Sequence, residues 1–362
     1  MTAVDPRLRI LEIGEFSLIK TCLPEQTTLI FTGANARRAP ALEHRSFSPT
    51  LAVEIIQKLR RGDWDLVFCH PPAQPLWDPR RGVVGGLSLL TRLAFRFRTL
   101  GTYVARVGGI PLIVLDLNDM SSIPAPGVPL LDESLLYFKR ELPLDPAKAL
   151  FNVAPRFRTH KRVATSRFFE RNRDKLQPIS SGVPESTAEI AKDLRPEKTV
   201  DVFFAGSAIN SEIRRRGFEE LKALRERGYV VDVSSGGLTR QEYLERCARS
   251  WLTWSPEGYG WECFRHYEAS LCRSVPILSA PGILRYQPLE DGIHAHMYPA
   301  RSGGLAQKIE AALSDKAALA RMAERARLHV LTHHTFARIS EHVIASSLDL
   351  LQSREQDRSG RR

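Results

Sequence analysis

The chain alternates between two kinds of stretch. Short β-rich runs are followed by longer stretches whose apolar residues recur every three or four positions, and this alternation runs twice with a break near residues 176–199. Strand-then-helix alternation marks βαβ units and a parallel sheet. In the first half the strands are expected at 7–14, 27–33, 64–70, 111–117 and 135–142, with helices at 50–61 and 87–107. In the second they are expected at 200–206, 229–235, 250–256 and 275–280, with helices at 209–228, 239–249 and 262–273, then 303–314, 315–331 and 335–352.

A length of 362 residues fits two domains of ordinary size. The expected fold is therefore α/β, two Rossmann-like domains facing a cleft. Ligands of such sheets sit at the carboxyl ends of the strands. The expected division is an N-terminal domain over 1–180, a linker over 181–199, a C-terminal domain over 200–335, a helix over 336–352 packing back toward the first domain, and a disordered tail over 353–362. No run approaches the length of a membrane span, and the N-terminus lacks a basic-then-apolar signal pattern, which points to the cytoplasm. Cys22, Cys69, Cys247, Cys263 and Cys272 show no C-x-x-C spacing and read as reduced packing residues.

The net charge of +11 is concentrated in the first half. Residues 156–175 carry eight Lys/Arg against Glu170 and Asp174, and residues 86–106 carry Arg92, Arg96, Arg98 and Arg106 with no acid. A field of one sign gathers partners of the other: a phosphate-bearing substrate, an anionic membrane or a nucleic acid. The helix over 87–107 has a basic face that can rest on anionic headgroups, or it simply covers the sheet. Without a helix-turn-helix, zinc finger or RNP-like segment, nucleic acid is the less favoured partner.

In the second half, SPEGYGWECFRHYEAS (255–270) runs from a strand end through a glycine loop to a helix start. Backbone N–H groups and the helix dipole at such a place receive phosphate, and Gly258 and Gly260 let the backbone approach a ligand closely. Arg265 and Glu268 lie three apart. They either meet a diphosphate and a sugar diol respectively, or pair with each other as an ordinary ion pair.

The stretch from VDVFFAGSAINSEIRRRGFEEL through SPEGYGWECFRHYEASLCRSVPIL to HHTFARI resembles the donor-binding half of GT-B glycosyltransferases, especially the exostosin-like and group-1-type families, over roughly residues 200–340. The resemblance rests on Phe204 and Gly206, an arginine-bearing helix after them, Ser255, Gly258 and Gly260, Arg265 with Glu268-Ala269, and Val275-Pro276. It implies a nucleoside-diphosphate-sugar donor as substrate and no cofactor. Glu268 would hold the ribose, and Arg265, the loop of Ser255, Gly258, Tyr259 and Gly260, and one of Arg214, Arg215 or Arg216 would attend the diphosphate near Gly206. Retaining group-1-type members carry a second glutamate eight positions before the first. Here that position is Gly260, so inversion is expected. No D-x-D run offers a divalent cation to the diphosphate, and a metal-independent reaction with no metal site is expected.

An inverting transfer needs a base for the acceptor hydroxyl, and the resemblance places it in the first domain at a strand end. The candidates are Asp116 and Asp119, then Glu15, then His70. Lys139 and Arg140, with Glu141, end a fifth strand, where they contact acceptor or phosphate or pair among themselves. An anionic acceptor follows from the charge: a glycan of the cell envelope, a lipid-linked glycan or a polymer, met in the cytoplasm or peripherally at the inner face of the membrane. The alternatives are a nucleic-acid-directed glycosyltransferase and a non-catalytic binding protein that kept the fold.

Overall fold

The structure, a computed structural model, describes residues 4–14, 16–31, 49–71, 104, 106–123, 127–154, 158–162, 166–207 and 211–360. It divides into two units: residues 1–179 with 340–362, and residues 180–339.

The first unit is built on β1 (Ile10–Gly14), α1 (Ile19–Cys22), β2 (Thr27–Phe31), α2 (Pro49–Arg61), β3 (Leu66–Cys69), β4 (Leu112–Asp116), α3 (Val128–Glu133) and β5 (Leu136–Lys139). A hairpin of β6 (Phe151–Ala154) and β7 (Arg158–Arg162), α4 (Ser166–Asn172) and β8 (Leu176–Pro178) follow. Its six-stranded sheet has the order β2-β1-β3-β4-β5-β8, and every pairing is parallel. Strands β1, β3, β4 and β5 are buried along their whole length. A parallel strand covered on both faces is mostly apolar, which is why ILEIG and LIVLD read as runs rather than alternations, with the charges of Glu12 and Asp116 met by hydrogen bonds.

The second unit holds α5 (Glu185–Lys192), β9 (Val200–Ala205), α6 (Glu212–Glu226), β10 (Val231–Ser234), α7 (Arg240–Arg249), β11 (Ser250–Ser255) and α8 (Phe264–Leu271). β12 (Val275–Ser279), β13 (His296–Tyr298), α9 (Gly304–Leu313), α10 (Lys316–His333) and the first residues of α11 (Phe336–Ser359) complete it. Its sheet, also wholly parallel, has the order β10-β9-β11-β12-β13. Side chains alternate across it: Val202, Phe204 and Trp254 enter a core with Leu221, Leu305 and Leu319, while Phe203 enters another with Leu244, Leu271 and Val330. Helix α6 lies close on the sheet because Gly217 has no side chain; a Cβ there would stand 2.2 Å from the Trp254 ring. Thr239 and Glu242 close a capping box at the start of α7.

In both sheets the order doubles back between the first and third strands, so each unit has a switch point, β1/β3 in the first and β9/β11 in the second. Three sequence expectations change. Residues 181–199, expected as a linker, belong to the second unit: Val183 and Ala191 are buried and α5 forms within them. Their polar composition hid a short helix with one buried face. Helix α11 runs through Ser359, beyond the expected tail boundary at 353, because SREQDRS consists largely of residues that sustain a helix. Strands β8 and β13, three residues each, and the basic hairpin β6–β7 carry too little pattern to be read from sequence. The helix expected at 87–107, with its basic face, lies outside the described residues except for 104 and 106–107. Among the described residues, no helix is long and apolar enough to cross a membrane.

Candidate functional site

The switch point of the second unit gathers the ends of β9 and β11. Strand β9 leads into Gly206, whose N–H donates to the Ser234 carbonyl at 2.9 Å and whose φ of +151° suits glycine. Strand β11 leads into the glycine loop, which turns on a 2.8 Å bond from Gly258 N–H to the Gly260 carbonyl and leaves Tyr259 80% exposed. Two guanidinium groups lie against these segments. Arg214, in the first turn of α6, donates to the carbonyls of Glu257 (2.9 Å) and Ser207 (3.2 Å). A Cβ on Gly258 would stand 2.8 Å from Arg214 Nη2, so the bare backbone makes room for that side chain. Arg265, in α8, covers the Phe204 ring at 5.2 Å, and its Nη2 would be 3.2 Å from a Cβ on Gly206.

Among the described residues, no carboxylate forms an ion pair with either Arg214 or Arg265. Burial first, and then the charge of Arg265, lower the pKa of Arg214. Burial alone would lower that of Arg265, but the acidic groups around it, Cys263 foremost, leave it raised. Two cations without carboxylate partners among the described residues, beside the glycine backbone, have the chemistry to receive an anion of more than one charge. Arg215 and Arg216 are tied to Glu212 on the outer face of α6, at 2.7 Å each. Of Arg214, Arg215 and Arg216, one of which is expected near the diphosphate, Arg214 is the one that stands at the switch point.

Glu268 is 6% exposed on α8. Its Oε1 accepts from Arg240 Nη1 at 2.6 Å, and Arg240 Nη2 donates to Thr187 Oγ1 at 2.6 Å. The ion pair weighed between Arg265 and Glu268 does not form, since a cation from α7 meets the carboxylate instead. Ser255 is fully buried at the end of β11, with its Oγ 2.7 Å from His266 Nδ1. Of the cysteines expected to serve as packing, Cys69, Cys247 and Cys272 are buried. Cys263 is half-buried and sits in a polar cluster with Ser255, His266 and Arg265.

At the switch point of the first unit, His70 follows β3 and is 2% exposed. Its Nε2 lies 2.8 Å from Glu12 Oε1, an oxygen that also accepts the N–H groups of Leu18 and Ile19, while Oε2 accepts that of Lys20. An oxygen so committed acts as acceptor, which puts a hydrogen on Nε2 and makes Nδ1 the nitrogen that can take up a proton. His70 Nδ1 is buried and has no hydrogen-bond partner among the described residues.

The aspartates ranked first as bases are engaged otherwise. Asp116 is buried and accepts from Lys139 Nζ and Tyr137 Oη at 3.0 Å each and from Asn118 Nδ2 at 3.0 Å. Lys139 also donates to the Met120 carbonyl at 2.6 Å and is fully buried, so its charge serves this cluster. Asp119 pairs with Arg140. Glu15 lies outside the described residues. Within the basic windows, Arg106 pairs with Glu133 and Arg171 with Asp132, which compensates part of the expected field, while Lys175 donates to the Asp132 carbonyl. Among the described residues, no group of three or more His, Cys, Asp and Glu could hold a metal ion.

Two residues escaped the sequence reading. Glu12 carries a weak signal, a carboxylate inside the apolar run of β1. Arg240 carries none, because its partner lies on another helix 28 positions away.

No family model matches the chain, and no curated protein matches its sequence. Solved structures do. A glycosyltransferase from Rickettsia africae aligns with a TM-score of 0.60 at 12% identity, over 95% of this chain and 99% of the other. Anabaena Alr3699/HepE in complex with UDP aligns at 0.55 and 15% identity, over 94% and 100%. A UDP-forming trehalose-phosphate synthase from Burkholderia xenovorans aligns at 0.58 and 9% identity, over 95% and 99%. The fold of the chain is that of the GT-B glycosyltransferases.

Proposed function

We propose that the protein transfers a sugar from a nucleoside diphosphate sugar to a hydroxyl of an acceptor. The observation that carries this reading is the pair Arg214 and Arg265, two guanidiniums that form no ion pair among the described residues, at the β9/β11 switch point of a GT-B fold. The same fold in HepE is solved with UDP bound. In this reading the two arginines hold the diphosphate and carry its growing charge as it leaves. Glu268, oriented by Arg240, accepts the ribose hydroxyls.

His70 is the base. The acceptor oxygen forms a bond to the anomeric carbon, the bond from that carbon to the diphosphate oxygen breaks, and the hydroxyl proton passes to His70 Nδ1. Glu12 positions the imidazole and balances its charge once the proton arrives. Asp116 and Asp119 already serve other cations, which favours His70 over them. A base of this kind and the glycine at position 260 support inversion, and the arginines support a transfer that needs no metal. The basic windows of the first unit support an anionic acceptor, a glycan or lipid-linked glycan in the cytoplasm or at the inner face of a membrane.

The test is ligand-induced stabilisation. UDP or GDP at about a hundred times its Kd should stabilise the protein by about 2.7 kcal/mol, and Arg265→Ala or Glu268→Ala should abolish the rise in melting temperature. No response to any nucleoside diphosphate would overturn the reading. If nucleotide binds but no sugar nucleotide is ever consumed with any acceptor, a non-catalytic binding protein is what remains.

A further inference from the structure

Cys263 precedes the first residue of α8, where the amide dipoles of the first turn favour negative charge. Its Sγ lies 3.6 Å from His266 Nδ1, 3.7 Å from Arg265 Nη1 and 3.4 Å from Ser255 Oγ. His266 is 1% exposed, and its Nε2 lies 3.1 Å from the Trp261 carbonyl. A carbonyl only accepts, so Nε2 carries a hydrogen and Nδ1 is the basic nitrogen. That nitrogen faces the thiol and the Ser255 hydroxyl. A thiol beside an oriented imidazole is the nucleophile-and-base arrangement of thiol chemistry. Arg214 from α6 adds positive charge, while Glu262 acts on His266 and the buried Tyr267 stands nearby. Burial would push the Cys263 thiol up, but His266 and Arg265 bring it well below the ordinary range, and the thiolate in turn raises His266.

We propose that Cys263 is a nucleophilic thiol and a site of oxidation by hydroperoxides, and that its oxidised sulfur withdraws Arg265 from a bound phosphate. The second part rests on the nucleotide reading; the first does not. In the reaction the thiolate attacks the distal peroxide oxygen, an S–O bond forms and the O–O bond breaks. The sulfur loses two electrons to the peroxide, and the departing oxygen takes the proton held by His266, leaving a sulfenic acid and water or an alcohol. The new oxygen sits against the Arg265 guanidinium and accepts from it, occupying donors that would otherwise meet the diphosphate.

The experiment uses the full chain and iodoacetamide, with mass spectrometry resolving the rate at each cysteine. Cys22, also half-buried, is the internal reference. At pH 7 Cys263 should react about tenfold faster than Cys22, with a rate that stays high as the pH is lowered to 6. His266→Asn should bring it down to the Cys22 rate. If that variant does not fold, Arg265→Gln, which removes one cation, should lower the rate several-fold. Equal rates at Cys263 and Cys22 in the wild type overturn the thiol claim. Hydrogen peroxide followed by dimedone should label Cys263, and the oxidised protein should bind UDP at least tenfold more weakly than the reduced protein, while Cys263→Ser should bind UDP normally and ignore peroxide. Unchanged UDP affinity after complete oxidation overturns the second part. Failure of the untreated protein to bind UDP would sink the nucleotide reading instead, and the alkylation rates would still decide the thiol claim.

Discussion

Arg240 Nη1 stands 2.6 Å from Glu268 Oε1, so a cation from α7 meets the buried carboxylate of α8, and Arg265, three residues earlier on the same helix, forms no ion pair among the described residues. A positive group relieved of its internal partner is available to an outside anion. The bridge also runs on through Arg240 to Thr187, joining α8, α7 and α5.

The two arginines should therefore fail differently. Arg240→Ala leaves a buried carboxylate alone and should lower the stability of the free protein by about 1 kcal/mol, discounted because the arginine is 43% exposed. Arg265→Ala breaks no ion pair and should instead remove the UDP-induced rise in melting temperature. Urea titration with and without UDP separates the two, and the reverse pattern would contradict the assignment.

His70→Gln should lower sugar transfer by a factor of about 10² to 10⁴ while the UDP thermal shift stays at its wild-type size. Glu12→Gln keeps an acceptor oxygen for the α1 amides but removes the countercharge of the imidazolium, and should show a smaller loss in kcat than His70→Gln. If His70→Gln retains full turnover, the base is elsewhere.

Gly217→Ala places a methyl 2.2 Å from the Trp254 ring. The ring is fully buried and its Nε1 donates to Tyr298 Oη at 3.0 Å, so it cannot move without losing that bond. Overpacking of this kind should cost about 1–3 kcal/mol, read as a lower urea midpoint. A change below about 0.5 kcal/mol would mean that α6 lifts freely from the sheet.

Acid should loosen the second unit through His334. It is fully buried, with Nε2 donating to the Gln287 carbonyl and Nδ1 facing Ser180 Oγ, and burial lowers its pKa from 6.5 to about 3. Because the folded pKa lies below the unfolded one, the unfolded chain binds the extra proton. Stability is thus complete above pH 6.5 and falls as the pH drops from 6.5 toward 3. At pH 5 this group alone should cost about 2 kcal/mol. His294 and His333 are also lowered, by burial and then by their histidine neighbours, and add in the same direction. The measurement is the urea midpoint from pH 7.5 to 5 for the wild type and His334→Gln; identical pH slopes in the two would refute the role of His334.

The architecture was legible wherever strands are long and helices amphipathic. β1, β4, β9 and β11 are rich in apolar residues, as a covered parallel strand requires, and the capping box at Thr239 marks the start of α7 in sequence. The glycine loop was legible too, because glycines with a Ser-Pro before them punctuate a strand end strongly. The partners were not. Nothing local says that Glu268 meets Arg240, that Arg214 rather than Arg215 turns inward, or that Glu12 reaches His70 across 58 positions, since each is set by which elements pack together. Asp116 misled for the same reason: a carboxylate at a strand end looks available until Lys139 and Tyr137 are seen beside it.

Because α11 starts in the second unit and its residues from 340 onward belong to the first, the first unit is assembled from two stretches of sequence that flank the second. On the ribosome the second unit is contiguous, whereas the first must wait for residues made after the second, among them the buried Val343 and Ile344. A nascent chain halted before position 340 would carry one finished unit and one that still lacks a wall.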